Sequence, residues 1–242
     1  MTLRNQDQHI SVVRLGRSEY RRCWELQKQL QARRIAHEFG DLLLLTEHEP
    51  VITMGASANA HHLLVADEEL AREGIDVVTV DRGGDVTYHG PGQLVGYPIF
   101  DLTLHGQDLH RYLRQLEELV IAALRVFQVS GSRVDGYTGV WVGKEKICAI
   151  GINVRRWVTT HGFALNVKTD LPGFRYIIPC GIFEHGVTSI AEVLGRDVGI
   201  DEAEHAVMET CEQVFHRTVH ETTCKELGID SESLQRSVTD CI

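Results

Sequence analysis

The chain has 242 residues, 43% hydrophobic and 24% charged, with a formal net charge of −10. That is enough for one large soluble domain or two small ones with a real core, and no apolar run is long enough to span a bilayer. The acidic balance argues against nucleic acid as a partner, since such a surface must be broadly basic, and the polar start MTLRNQDQHI lacks a signal-peptide core, which implies the cytoplasm.

In chain order, Ser18 is positioned to cap a helix that turns Tyr20, Trp24 and Leu30 to the core and ends near Gly40. DLLLL and PVITMG read as strands joined by a bend at TEHE, and a short helix over Asp67 to Arg72 leads through Gly74 into the strand DVVTV. The stretch RGGDVTYHGPGQLVGYP, Arg82 to Pro98, packs five glycines beside Thr87, Tyr88 and His89 and then runs into apolar residues. It reads as a tight strand–turn–strand or as a wall where backbone approaches a bound molecule. Asp108 caps the clearest helix, whose apolar stripe runs from Leu109 through Leu116 and Leu124 to Phe127. YTGVWV and KICAIGINV flank Gly143–Lys144 as a hairpin, with VTTHGFALNV as a third neighbour. Asp201 and Glu204 resemble a capping box opening a late helix through Cys211 and Phe215. From Arg217 the tail is polar and reads as a peripheral helix. The expectation is a single α/β (α+β) domain over residues 1–242, with a mixed, largely antiparallel central sheet flanked by helices.

The six cysteines form no CxxC pair, which disfavours a disulfide framework and a Cys-based zinc site. Cys148 lies within the apolar strand ICAI, while Cys23 and Cys211 read as small core residues. Cys180 differs, standing in IIPCGI between Pro179 and Gly181 after the loop-like LPGFRY. A thiol in such a loop can face a cleft beside free backbone N–H groups. With an ordinary pKa near ~8.5 it needs a neighbouring His or Lys to become a nucleophile at neutral pH. Lysines are few: Lys28, Lys144, Lys146, Lys168 and Lys225. Lys144 falls at the hairpin tip as a solvated charge, whereas Lys146 opens the apolar run Ile147 to Ile150 and is drawn partly out of water. An ammonium at Lys146 would favour a nearby thiolate, with a strand-edge charge as the alternative, while His89 and His161, each of which precedes a glycine, read equally as imidazoles placed on one cavity or as side chains bonded within turns. No histidine has a metal-binding spacing, so no metal is expected. Any acidic partner would meet a local basic patch: Arg17, Arg21, Arg22, Arg33 and Arg34, or the pair Arg155–Arg156, which also read as solvated charges.

Taken together, RGGDVTYHGPGQLVGY, EHEPVITMG, GVWVGKEKICAIGINV, HGFALNV and PCGI resemble, in order, the octanoyltransferases of the lipoyl(octanoyl) transferase, or lipoate-protein ligase B, family. The resemblance spans roughly Tyr20 to Leu194. It implies the fold of biotin and lipoate ligase catalytic domains. It further implies transfer of an octanoyl group from acyl carrier protein to a lysine on lipoyl domains of 2-oxoacid dehydrogenases and glycine cleavage H protein, with no cofactor. By the same resemblance Cys180 would be the nucleophile and Lys146 the residue that lowers its pKa. The acyl pocket would be lined by Arg82, Gly83, Gly84, Asp85, Val86, Thr87, Tyr88 and His89, by Ala149, Ile150 and Gly151, and by Gly162, Phe163 and Ala164. An ATP-dependent lipoate or biotin ligase shares the fold but uses no cysteine nucleophile. A non-catalytic lipoyl-domain binder would need neither Cys180 nor Lys146. The second lysine, Lys144, and the motif-free tail are the departures from the pattern.

Overall fold

The computed structural model describes residues 9–178, 186–230 and 234. In chain order the elements are β1 (His9–Ser18), α1 (Tyr20–Ile35), β2 (Asp41–His48), β3 (Val51–Met54), α2 (Asp67–Arg72), β4 (Asp76–Thr79), β5 (Val86–His89) and β6 (Gln93–Ile99). They are followed by α3 (Leu109–Val126), β7 (Ser132–Val134), β8 (Tyr137–Val142), β9 (Glu145–Arg155), β10 (Val158–Asn166), α4 (Ile190–Leu194), α5 (Ile200–Phe215) and β11 (Thr218–Glu221).

Eight strands form one sheet in the order β11-β1-β2-β6-β10-β9-β8-β7, and β4-β3-β5 form a second, smaller one. The large sheet is antiparallel from β2 to β7, with parallel pairs where β1 meets β2 and β11. Helices cover both faces, which is why DLLLL is apolar throughout: Leu43 and Leu45 pack into a core with α3 and α5, while Leu42 and Leu44 pack with Cys23 and Leu30 of α1. The α/β fold with a mixed central sheet and flanking helices is therefore as expected, and the short helix at Asp67–Arg72, the Asp108 cap and the β8–β9 hairpin all form.

Several local expectations are corrected. Ser18 ends β1, its hydroxyl bonded to Thr46 Oγ1, and Glu19 caps α1 by accepting from the backbone of Arg21 and Arg22. Helix α1 stops at Ile35 rather than Gly40, since His37 adopts a left-handed φ of 57°. Residues Thr46 to His48 continue β2, so the bend falls at Glu49 and Pro50, and the two strands it joins belong to different sheets. Helix α5 opens at Gly199, whose N–H donates to Glu202 Oε1 at 2.9 Å, not at Asp201. After Arg217 the described residues form the edge strand β11 in place of the start of a helix, with residues 231–233 and 235–242 outside the description; Ile229 and Leu234 are buried against the α1 side of the molecule.

Candidate active site

The glycine-rich stretch folds as a strand, a turn and a second strand, and its first half lines a cavity. Val86–His89 is an edge strand of the small sheet, Gln93–Ile99 a central strand of the large one, and the turn between them carries the chain from one sheet to the other. Between the sheets lies a cavity that opens to solvent. Its outer wall is Arg82 to Thr87 and His89, and its inner wall is Ala149–Gly151 of β9 with His161–Ala164 of β10. Lys146 stands in the same wall. The two walls meet closely: Gly83 N donates to Ile152 O at 2.9 Å, and a Cβ on Gly151 would sit 2.8 Å from Gly83 O. Only glycine allows that approach of loop to strand.

Strand register explains which side chains face the cavity. Ala149 pairs with Ala164, and Ala164 with Val95, giving a row of small or branched groups across three strands. Cys148, Ile150 and Ile152 belong to the opposite face, packed with the α3–α5 core. By strict alternation Lys146 would share that face with Cys148. It does not, because β9 carries a bulge. Cys148 pairs with Val140 but Lys146 with Trp141, leaving Ile147 as the extra residue. The bulge turns Lys146 onto the cavity side, where it is only 7% exposed.

Of the sequence-expected pocket residues the structure brings all into this wall except Tyr88. On β5, Thr87 and His89 face the cavity while Tyr88 points into the small sheet's own core, its ring 5.4 Å from Phe174. Alternation along a four-residue strand requires this. Cys180 lies outside the described residues. Tyr20, Val95 and Tyr97 also line the cavity and escaped the sequence reading. Val95 and Tyr97 carried a signal in the period-two pattern of LVGYP, whereas Tyr20 reaches the site from α1 and had none.

The polar groups of the wall are held by a buried chain of hydrogen bonds. Arg82 Nη2 donates to the carbonyl and hydroxyl of Thr53, both at 2.8 Å. Thr53 Oγ1 lies 3.4 Å from His89 Nε2, and His89 Nδ1 donates to Gln93 Oε1 at 2.7 Å. Gln93 Nε2 donates to Asn166 Oδ1, and Asn166 to Thr188 O. Burial first, then the nearby His48, keeps His89 neutral with its pKa well below the usual range. His161 is also lowered, chiefly by burial; its Nε2 donates to Asp81 at 2.9 Å, and that bond holds the Asp81 carboxylate down. His161 has a positive φ of 57° in mid-strand, and its buried Nδ1 has no hydrogen-bond partner among the described residues. Such strain is tolerated where surrounding contacts fix it, here the Gln27 side chain on the His161 N–H.

Of the described cysteines, three are core residues, as their sequence contexts implied. Cys23, Cys148 and Cys211 are buried and desolvation pushes each thiol up to about 12. Cys224 is half-buried and raised as well. Among the described residues, no three His, Cys, Asp or Glu side chains converge as metal ligands. Nor is any described helix long and apolar enough to cross a membrane.

A mixed sheet flanked by helices, with a glycine-walled cavity holding a buried lysine, is thus the architecture to be matched. Residues 19–212 match the lipoyl protein ligase A/B catalytic domain. The octanoyltransferase of Chloroflexus aggregans is 52% identical over 190 residues, 77% of this chain and 86% of that protein. The octanoyltransferase of a Roseiflexus species is 51% identical over 206 residues, 84% of this chain and 86% of its own. A bipartite lipoate protein ligase from Thermoplasma acidophilum, solved in a study of an archaeal lipoylation system, superposes with a TM-score of 0.73. It covers 97% of this chain and 93% of its own at 20% identity, a likeness of fold alone. The chain belongs to the lipoyl protein ligase A/B catalytic-domain family. Within that family it is an acyltransferase of the octanoyltransferase group.

Proposed function

We propose that this acyltransferase moves an octanoyl group from octanoyl-acyl carrier protein to the ε-amine of a lysine on a lipoyl domain, through an acyl thioester on Cys180. The acceptors are the lipoyl domains of 2-oxoacid dehydrogenases and the glycine cleavage H protein. The observation that carries this reading is Lys146, a nearly buried cation set by a bulge into the wall of the cavity. Its backbone supports the pairing with Cys180. Lys146 N donates to Gly186 O at 2.9 Å and Lys146 O accepts from Thr188 N at 3.1 Å, so the described chain downstream of Cys180 runs beside the lysine. Upstream, Ile178 N donates to the carbonyl of His62, whose side chain pairs with the cavity residue Asp85.

In the first step the Cys180 thiolate, favoured by the Lys146 ammonium, attacks the carrier thioester; a C–S bond forms and the carrier thiolate leaves. One thioester replaces another of similar energy. The acceptor lysine attacks as the neutral amine; a C–N bond forms, the C–S bond to Cys180 breaks, and the proton shed by the nitrogen passes to the leaving thiolate or to solvent. Formation of the amide drives the sequence, so no nucleotide is consumed. Burying the acyl chain contributes about 0.8 kcal/mol per methylene, which holds it while the partners exchange.

Intact-mass measurement tests the reading. Octanoyl carrier protein without acceptor leaves one octanoyl group on the enzyme, labile to hydroxylamine and mapping to the Cys180 peptide. Apo lipoyl domain then discharges it without ATP. Transfer that appears only with ATP and free octanoate, with no adduct on cysteine, would show an adenylating ligase instead.

A further inference from the structure

Lys146 sits in a cradle built by β8. Its Nζ lies 5.0 Å from the centroid of the Trp141 ring, on a side chain that is 0% exposed. Gly139, two residues earlier, is buried with a φ of 135°. A Cβ there would meet the Lys146 Cε at 2.7 Å and the Cys148 carbonyl at 2.6 Å. The missing side chain at Gly139 is therefore the space that the lysine stem fills. Gly139 is itself tied down: its N–H donates to Glu117 Oε1 at 3.3 Å. Glu117, on α3 and 1% exposed, is fixed by Arg114 at 2.7 Å and Arg133 at 2.9 Å. The bulge at Ile147, the gap at Gly139 and the indole face of Trp141 act on one side chain from three directions.

We infer that Trp141 is a positioning residue that keeps Lys146 as an ammonium and points it into the cavity, with Gly139 providing the channel for its stem. An aromatic face attracts the charged form and not the neutral amine. Other titratable groups surround the lysine: Cys148 on its own strand, Glu145 at the hairpin, Glu117 on α3, and across the cavity Arg82, Asp85, His89 and His161. Trp141 presents its ring to Nζ. The inference rests on the proposed function for its consequence in catalysis, but not for the contact itself.

Labelling lysines with ¹³C and ¹⁵N and titrating by NMR tests it directly, because lysines are so few. Fluorinated tryptophan, which depletes the ring face without changing its shape, replaces Trp24, Trp141 and Trp157. The Lys146 titration then moves down by about half a pH unit or more. Lys28, which lies 4.3 Å over Trp24, shifts less because it is exposed, and Lys144, Lys168 and Lys225 stay put. Trp141→Phe gives an intermediate shift of Lys146 alone. An unmoved Lys146 in fluorinated protein that keeps its other lysine resonances overturns the cradle. The alkaline limb of acyl-enzyme formation, followed against pH, separates the two claims. If Lys146 shifts and the limb does not, the cradle stands and the role of Lys146 in transfer falls.

Discussion

At the scale of single residues, the sequence already divides the thiols by their neighbours, and the structure supplies the reason. Cys23, Cys148 and Cys211 are desolvated and pushed up to about 12, so at neutral pH almost none of each is thiolate. Native alkylation near pH 7.5 followed by peptide mapping should therefore label Cys180 and spare these three until the protein unfolds. Labelling of Cys148 ahead of Cys180 would remove the basis for choosing between them. Cys180→Ser should abolish transfer in a folded protein. Cys148→Ala should keep transfer and cost on the order of 1 kcal/mol for the small cavity it leaves, read from chemical denaturation. Lys146→Ala should slow alkylation of Cys180, while Lys144→Ala should not, because Lys144 is exposed at the hairpin turn and screened by water and salt. What was not legible at this scale was orientation. Tyr88 looks like its neighbours in the motif, and only the pleat of β5 sends its ring to Phe174 instead of the cavity.

At the scale of elements, strongly patterned segments were readable and those defined by their partners were not. The stripe of α3 and the β8–β9 hairpin carry their own signals. By contrast β1 mixes Arg14, Gly16 and Arg17 among its apolar residues, and it is a strand because β2 and β11 hold it on both sides. The bulge at Ile147 left no mark in KICAI, yet it decides which face Lys146 occupies. The pairing of β10 with β6 makes a further prediction. A Cβ on Gly162 would sit 2.2 Å from Gly96 O and 2.6 Å from Pro98 Cδ, so Gly162→Ala must force adjacent backbones apart. We expect a loss of roughly 2 kcal/mol or more in unfolding free energy. Gly151→Ala meets Gly83 O at 2.8 Å and Arg82 Cδ at 3.2 Å, in the loop wall rather than the sheet. It should show mainly as a raised KM for the acyl donor. Equal destabilisation by the two substitutions, with KM unchanged, would contradict this division between sheet and wall.

Across the whole molecule, the α/β class and the mixed sheet were legible, but the split into two sheets was not, since β3 and β5 read like their neighbours in the large sheet. What joins the two sheets beside the cavity is a buried cluster of rings. Tyr20 of α1 stacks on His89 of the small sheet at 5.6 Å and meets His48 of the large sheet at 5.0 Å. Tyr97 lies 5.8 Å from His48 and 6.5 Å from His161. The cluster requires neutral imidazoles. His48 Nδ1 faces the carbonyl of Ser18 at 3.1 Å and so donates, leaving Nε2 to accept from the Tyr97 hydroxyl at 2.6 Å. Protonating His48 would remove that acceptor in a fully buried site, and burial lowers its pKa from 6.5 to about 4. His89 and His161 are lowered for the same first reason. With the folded pKa below the unfolded one, the unfolded chain binds the extra proton between about pH 6.5 and 4. The contribution is whole above that window and is lost as pH falls through it. Glu204, raised by burial, acts in the opposite sense, and Asp81, lowered by His161, matters only in stronger acid. For His48 alone, the loss between pH 7 and pH 5 is on the order of 2 kcal/mol. Urea unfolding at the two pH values should show at least that decrease, and His48→Gln should flatten the dependence while lowering stability at pH 7. A wild-type stability that holds constant from pH 7 to 5 would mean that the rings joining the two sheets tolerate a proton, and the neutral cluster would have to be abandoned.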